Sequence, residues 1–349
     1  MKKRNLLVIG LLPIVLSLFA CKKETKVETE DFSLWNDCSS LRALKEYVSD
    51  VTNEKSKNFI PKKDRIATFD MDGTFYGELY PTYLEYSMLQ YRGLDDPTYE
   101  APEDVREAAQ NIKDFVEQGT KLPDGFELIH ARAAAKAYSG MTLKEFDKYV
   151  KDYLKFNVGG FENLTYGNGF YKPMLEVFNY LEENDFQYYV VSGSDRYICR
   201  SLCCDTLGIP NYRVIGMDVE LRATNQGDKD PLNYLLTNDD ELIRTENLLI
   251  KNLKFNKVRQ ISQEIGQQPV LSFGNSSGDC SMHNFALFNN KYKSAAFMLI
   301  ADDDERDYGK VEKAMSLKTD WENAGYNVIS MKNDFKTIYG YDIKISKNS

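Results

Sequence analysis

The short run Arg65-Ile66-Ala67-Thr68-Phe69 passes without interruption into Asp70-Met71-Asp72-Gly73-Thr74. An apolar run of this length, closed by a turn-forming segment, reads as a buried strand. No other junction constrains the fold as tightly, because a strand buried on both faces belongs to a parallel sheet covered by helices. It also places chemistry at the end of the strand. Two carboxylates two residues apart can face one pocket, and Gly73 permits a tight turn beside them.

The pattern on either side fits such a sheet. Upstream, Leu41, Leu44, Val48 and Val51 fall near helical spacing, with Ser39 or Ser40 as the expected cap. From Leu79 to Gly167 the signals are mostly helical. Val105, Ala108, Ala109, Ile112, Phe115 and Val116 make one apolar face, and Leu143, Phe146, Val150 and Leu154 make another behind a Thr142 cap. Alternation then resumes, with helix 174–183, strand 187–191, helix 195–207, strand 212–215, helix 257–265, strand 269–273 and strand 295–300. Residues 218–250 lack clean periodicity and read as a hairpin or flap. The expected fold class is α/β, a Rossmann-like doubly wound parallel sheet with an inserted helical cap.

Composition narrows the chemistry. The chain has two histidines, His130 and His283, and neither sits in an HExxH, HxH or Cys/His cluster. Histidine-rich zinc sites and a Ser/His/Asp triad are hard to build from them, so catalysis has to lean on carboxylates, lysine or hydroxyls. A formal net charge of −9 argues against nucleic acid as a principal partner, since phosphate backbones are bound by clustered positive charge. At 42% hydrophobic and 28% charged residues, the chain can bury an ample core. Apart from Cys21, an odd number of cysteines remains (Cys38, Cys199, Cys203, Cys204 and Cys280), so a complete set of internal disulfides is impossible. The three between 199 and 204 read as buried small hydrophobes.

The N-terminus reads as an address. Lys2, Lys3 and Arg4 precede an apolar run from Leu6 to Ala20, the pattern of an export signal and too short for a comfortable membrane span. Its ending, Leu18-Phe19-Ala20-Cys21, resembles a bacterial lipoprotein signal, which implies cleavage before Cys21 and lipid on its thiol. The expected organisation is a signal over 1–20, a tether over 21–34, a core built from 35–78 and 168–349, and a helical cap over 79–167. The expected location is extracytoplasmic, in the periplasm or at the cell surface, with a membrane anchor at Cys21.

Ligands of an open parallel sheet collect beyond the carboxyl ends of its strands, and three informative loops fall there. The first is Asp70–Thr74. The second, Ser192-Gly193-Ser194, offers hydroxyls and open backbone N–H groups suited to phosphate oxygens; the alternative for Ser192 is a cap on the following helix. The third, Gly274-Asn275-Ser276-Ser277-Gly278-Asp279, sets two oxygen-bearing side chains four apart on a glycine-rich loop, suited to a hard cation. Lys251, Lys254 and Lys257 lie ahead of that strand. Lys257 is favoured over Lys254 because it directly precedes the apolar helix pattern of Val258, Ile261 and Ile265.

These elements, in this order, resemble the haloacid dehalogenase superfamily of phosphatases over about residues 60–300. That family carries a DxDGT loop, a Ser or Thr after the next core strand, a Lys, and an acidic motif of the type GDxxxD. This chain offers Asp70, Asp72, Gly73 and Thr74, then Ser192, then Lys257, then Asn275 and Asp279. Trp35-Asn36-Asp37 and the stretch through Trp321 and Met331 are similar to extracytoplasmic members related to phosphoserine and phosphorylcholine phosphatases. One departure stands out: Asn275 occupies a position where many members carry Asp.

The resemblance implies a phosphomonoester hydrolase that acts on a small organic phosphate through an aspartyl-phosphate intermediate. It makes Asp70 the nucleophile and Asp72 the acid and base. Thr74, Ser192, the Gly193 N–H and Lys257 hold the phosphoryl oxygens, while Asp70, the Asp72 carbonyl, Asn275 and Asp279 hold Mg²⁺. A phosphotransferase or mutase of the same superfamily shares every motif. A surface lipoprotein that keeps the fold as a binding module is the reading from a different class. Glu78 reads as a substrate contact or as a solvated hinge charge. Tyr76, Tyr80, Tyr83, Tyr86 and Tyr91 read as packing ahead of a cage for choline, Asp302-Asp303-Asp304 as a solvated helix start before 305–315, and His283 as structural.

Overall fold

Ile66–Phe69 form β1, and all four residues are buried, as a strand with neighbours on both sides and helices on both faces requires. The computed structural model describes residues 32–78 and 80–346, all within the unit that begins at Asp31. The expected signal, Cys21 and the tether up to residue 31 lie outside the described residues. Among the described residues, no helix is long and apolar enough to cross a membrane.

Helix α1 (Ser39–Thr52) precedes β1. Four helices follow β1 as the expected insertion: α2 (Leu84–Leu94), α3 (Glu103–Gln118), α4 (Phe126–Ala137) and α5 (Leu143–Tyr153). The two-residue strand β2 (Phe161–Glu162) leads on to α6 (Lys172–Glu183), β3 (Gln187–Asp195), α7 (Arg196–Leu207) and β4 (Val214–Ala223). Then come β5 (Leu242–Ile250), α8 (Phe255–Glu264), β6 (Leu271–Gly274), α9 (Cys280–Leu287) and β7 (Ala295–Ile300). The chain closes with α10 (Val311–Asn323), β8 (Asn327–Ser330) and β9 (Lys344–Ile345), which pairs with β2.

The expected Rossmann-like α/β fold is the fold observed. The main sheet has seven strands in the order β5-β4-β3-β1-β6-β7-β8. Every neighbouring pair is parallel except β4 and β5, which form the antiparallel hairpin expected between 218 and 250. From β1 the chain builds outward through β3 and β4, then returns to β1's other side with β6. That reversal leaves a crevice at the carboxyl ends of β1, β3 and β6.

Register in the middle of the sheet is fixed by aromatic pairs. Phe69 sits opposite Phe273, and Phe273 opposite Phe297, on adjacent strands. Their rings stack, with centroids 4.3 Å and 5.0 Å apart. A one-residue slip of β1 would turn Phe69 to the opposite face and move Asp70 with it, so this ladder sets the position of the first acidic residue. The Asp70 N–H then donates to the Phe273 carbonyl at 2.9 Å, continuing the ladder one residue past the strand.

Some local expectations change in the structure. Thr142 caps α5 in a capping box with Glu145, as the sequence indicates. Neither Ser39 nor Ser40 caps α1, however: Cys38 takes the cap position, and the Ser40 hydroxyl donates to Asp334 instead. The cap of α7 is Asp195, whose carboxylate accepts from the Tyr197 N–H, so Ser192 is not a helix cap. Asp302 and Asp303 are buried rather than solvated. Asp302 accepts from the Ser330 hydroxyl and the Lys332 N–H, Asp303 pairs with Arg306, and the next helix starts only at Val311. Cys38, Cys199, Cys203, Cys204 and Cys280 are all free thiols, with Cys199 and Cys203 buried.

A buried ion pair within the sheet holds the residue that ties the helical insertion to it. The Arg244 guanidinium, on β5, donates to Asp195 at 2.5 and 3.3 Å, and its side chain is fully buried. It lies over the Phe146 ring of α5, 4.0 Å from the centroid. The backbone of the same residue bonds Gly140 and Met141, just ahead of α5. Removing one partner of such a pair strands the other charge in the interior, which costs about 3–5 kcal/mol. Arg244→Met is therefore expected to destabilise the protein by about that amount, read as a lower urea midpoint, and adding Asp195→Asn should recover part of the loss.

Candidate active site

The acidic turn after β1 is closed by its own backbone. Three N–H groups, of Thr74, Phe75 and Tyr76, converge on the Met71 carbonyl, and the Gly73 N–H donates to Tyr76 at 2.7 Å. Gly73 has φ +78, and a Cβ there would lie within 2.0 Å of the Glu78 and Asn275 side chains. Glycine is needed for the backbone and again for the approach of the two loops.

Asp70, Asp279 and Lys257 form the centre. Lys257 projects from the first turn of α8, is fully buried, and places its ammonium 2.5 Å from Asp70 Oδ1 and 2.6 Å from Asp279 Oδ1. Lys254 stands at the cap of α8, and Lys251 pairs with Glu85 at 3.3 Å, so Lys257 is the lysine that reaches the acids. Asp279 holds its own loop as well. Its Oδ2 accepts from the Asn275 and Ser276 N–H groups, each at 3.1 Å, and from the Ser276 hydroxyl at 3.2 Å. Burial opposes ionisation of Asp279, but the Lys257 charge outweighs it and holds that carboxyl below its ordinary value. For Asp70 the balance runs the other way: burial first and the Asp279 charge second push it well above the ordinary carboxylate range.

Asp72 faces the same space from the other side. Its Oδ2 accepts a 2.7 Å hydrogen bond from Ser194 Oγ, while Oδ1 is buried with no partner. Burial raises this carboxyl to about 6, with the Ser194 hydroxyl working in the opposite direction. Glu78 is also buried and accepts from Asn275 Nδ2, and burial lifts it to about 7. The solvated-hinge expectation for Glu78 is thus not met. The nitrogen of Asn275 faces Glu78, and its amide oxygen is left for another partner.

The second loop is a bulge in β3. Pairing with β4 shifts register between Val191 and Asp195, around Ser192-Gly193-Ser194. Ser192 is fully buried; its Oγ accepts from the Ser194 N–H at 3.0 Å, and its carbonyl accepts from Asn252. A Cβ on Gly193 would come within 2.6 Å of Leu253. Thr74 is likewise fully buried, and its hydroxyl has no partner.

A cavity of about 520 Å³ opens onto these groups. Asp70, Asp72, Gly193, Lys257, Asn275 and Asp279 line it, whereas Thr74 and Ser192 sit behind the wall. Glu78, Glu85, Lys251, Ser194, Tyr83 and Tyr86 also line it, and the assigned set from sequence lacked them. Regular alternation would put Ser194 on the face of Ser192, but the bulge separates them, so that Ser194 lines the cavity and Ser192 does not. Of the five tyrosines singled out, Tyr83 and Tyr86 reach the cavity, while Tyr80 stacks on Tyr308 and Tyr91 packs on Tyr153 and Phe156. His283 is structural, its Nδ1 2.7 Å from Ser272 Oγ.

The donor set suits a hard divalent cation. Two buried carboxylates converge on a single ammonium, and burial first, with the Asp279 charge second, raises the Asp70 carboxyl. A cation beside Asp70, Asp279, the Asn275 amide oxygen and the Asp72 carbonyl meets only oxygen ligands. Among the described residues, no three His, Cys, Asp or Glu side chains form a ready metal cage, so this set depends on its amide and backbone oxygens.

No family model and no curated protein matches the chain. Solved structures do. The chain resembles a conserved protein of unknown function from Anaerococcus prevotii at a TM-score of 0.51 and 14% identity, over 88% of this chain and 98% of that one. It also resembles cytosolic 5′-nucleotidase IIIB bound to cytidine, at a TM-score of 0.49 and 14% identity, over 88% and 90% of the two chains. A phosphoserine phosphohydrolase-like protein from Francisella tularensis matches at 0.39 and 12%, over 72% and 92%. The likeness is one of fold: the Rossmann-like α/β sheet with inserted helices that the haloacid dehalogenase resemblance implies.

Proposed function

We propose that the chain is a Mg²⁺-dependent phosphomonoester hydrolase that works through an aspartyl-phosphate on Asp70. The observation that carries this reading is the buried Asp70–Lys257–Asp279 bridge, facing Asp72 across one cavity. On the same reading the substrate is a small organic phosphate met outside the cytoplasm, with the protein held to a membrane by lipid on Cys21.

The chemistry follows from charge. An anionic nucleophile approaching a phosphate meets repulsion, so positive charge has to stand where the two converge; a unit charge at about 4 Å is worth about 4 kcal/mol at an effective dielectric of 20. Lys257 supplies one such charge. Mg²⁺, held by Asp70, Asp279, Asn275 and the Asp72 carbonyl, supplies further positive charge when bound. An Asp70 oxygen forms a bond to phosphorus as the bond to the leaving alcohol breaks, and the alcohol oxygen takes its electron pair and a proton from Asp72. A water oxygen then attacks the phosphoryl group, Asp72 accepts the water's proton, and Asp70 is released with inorganic phosphate. A carboxyl raised to about 6 suits both halves of that exchange near neutral pH. The Gly193 N–H and the Lys257 ammonium face the phosphoryl oxygens, with Ser192 and Thr74 buttressing the loops from behind.

Asp70→Asn should leave the far-ultraviolet spectrum and urea midpoint near those of the parent and abolish phosphate release across a panel of phosphoserine, phosphocholine, phosphoethanolamine, nucleotides and sugar phosphates. Retained turnover in that variant sinks the mechanism, and preferential transfer to added alcohols or sugars identifies a phosphotransferase.

Asn275 offers a second test. Asn275→Asp adds negative charge beside the proposed ion but also sets two carboxylates face to face, because Glu78 already occupies the other side. Asn275→Asp combined with Glu78→Gln restores a donor to that contact. The double variant is expected to need less Mg²⁺ for half activity than the parent, and less than the single variant; an unchanged or higher requirement counts against the metal assignment.

A further inference from the structure

The cavity that holds Asp70 and Asp72 continues beneath the helical insertion, and a charged group on that side is incompletely paired. Glu85 lies in the first turn of α2 and is 3% exposed. Its Oε2 is 3.3 Å from Lys251 Nζ, a long contact for an ion pair, and its Oε1 is buried with no hydrogen-bond partner. The side chain lines the cavity together with Asp72 and Ser194. On the insertion's side the lining mixes the aromatic Tyr83, Tyr86, Phe115 and Phe126 with the charged Lys121, Asp124 and Glu127.

A buried acceptor without a donor costs about 1–3 kcal/mol, more when charged. An apolar residue would fill the same place in α2 without that cost. The arrangement becomes favourable once a ligand brings a donor to Oε1, because a hydrogen bond to a charged group contributes about 1.5–3 kcal/mol. Glu85 stands apart from the phosphoryl centre: Lys257, Asp70 and Asp279 satisfy one another, while Glu85 meets the part of the cavity left for the alcohol.

We infer that Glu85 is a specificity-determining residue whose free Oε1 accepts a hydrogen bond from the leaving alcohol, so that preferred substrates are phosphomonoesters carrying a hydroxyl or ammonium donor near the ester oxygen. This rests on the phosphatase reading. Lys251 anchors the other carboxylate oxygen, and the side chain forms part of the cavity lining. Motif residues hold the phosphate that all such esters share, and Glu85 reads what differs between them.

The test compares three esters built on the same two-carbon unit in the full chain with Mg²⁺: ethyl phosphate, which lacks a donor, 2-hydroxyethyl phosphate and 2-aminoethyl phosphate. Wild type should favour at least one donor-bearing ester over ethyl phosphate by about 10- to 100-fold in kcat/KM. Glu85→Leu should bring that ratio toward one. Glu85→Gln, which keeps an acceptor oxygen but no charge, should retain preference for the hydroxyl ester and lose it for the ammonium ester, so this arm tells which donor is used. A wild-type ratio below about threefold for both donors overturns the inference, as does a ratio that persists in Glu85→Leu. If Glu85→Leu does not fold, the wild-type ratio and Glu85→Gln decide. Absence of hydrolysis that depends on Asp70 for all three esters overturns the phosphatase reading and this inference with it. Intact hydrolysis without donor preference overturns this inference alone.

Discussion

A fully buried ammonium has to be surrounded by anions, and Lys257 meets that demand with two aspartates from different parts of the chain. Asp70 ends β1, Asp279 starts α9, and Lys257 sits in the first turn of α8, so one nitrogen ties three elements together. Removing it would leave two carboxylates facing each other in a buried space, a strongly unfavourable state. The same contact has a chemical side. Burial and the neighbouring Asp279 charge push the Asp70 carboxyl up, whereas the Lys257 charge holds Asp279 down, so the two acids of one bridge differ in how readily they ionise.

That bridge works only if β1 and β6 end level with each other, and the phenylalanine ladder ensures it. Phe69, Phe273 and Phe297 stack in register across three strands, and the hydrogen bond from Asp70 to Phe273 carries the register into the loop. Glycines then let the loops close in. Gly73 accommodates Asn275 and Glu78, and a Cβ on Gly274 would lie within 2.6 Å of Asp279. Hydrophobic stacking at the carboxyl ends of β1 and β6 thus sets the relation between the charged groups that follow directly. Neither the ladder nor the acids alone would do so.

Much of this was legible before any coordinates. The run into Asp70 announced a buried strand, alternating segments announced the sheet, and the acidic turn, Lys257 and the loop from Gly274 to Asp279 announced which ends would meet, because periodicity and turn chemistry act locally. What stayed hidden depended on contacts between distant segments. Glu78 stayed open between a substrate contact and a hinge charge because nothing nearby in sequence shows that Asn275 will sit against it. Asp302 looked solvated because Ser330 and Lys332, which satisfy it, lie 28 and 30 residues further on, whereas the partner of Asp303, Arg306, is only three residues away. Glu85 had no motif at all, and its meaning comes from the cavity it faces. Ser192 was read for its type, but the fold turns it behind the wall and puts Ser194 on the cavity, against Asp72.

The insertion is held to the sheet by more than its two chain crossings. Arg244 binds Asp195 while its backbone bonds Gly140 and Met141, and Lys251, at the end of the same hairpin, meets Glu85 of α2. The β4–β5 hairpin is the antiparallel exception in an otherwise parallel sheet, and it makes both of these attachments. Its consequence is a division of labour. The parallel strands and their glycine loops fix Asp70, Lys257 and Asp279. The hairpin fixes where the helices lie above them, and so helps set the shape and polarity of the cavity. On the reading proposed above, changes at Glu85, Lys251 or the aromatic wall alter which alcohol is accepted without moving Asp70, Asp72 or Lys257.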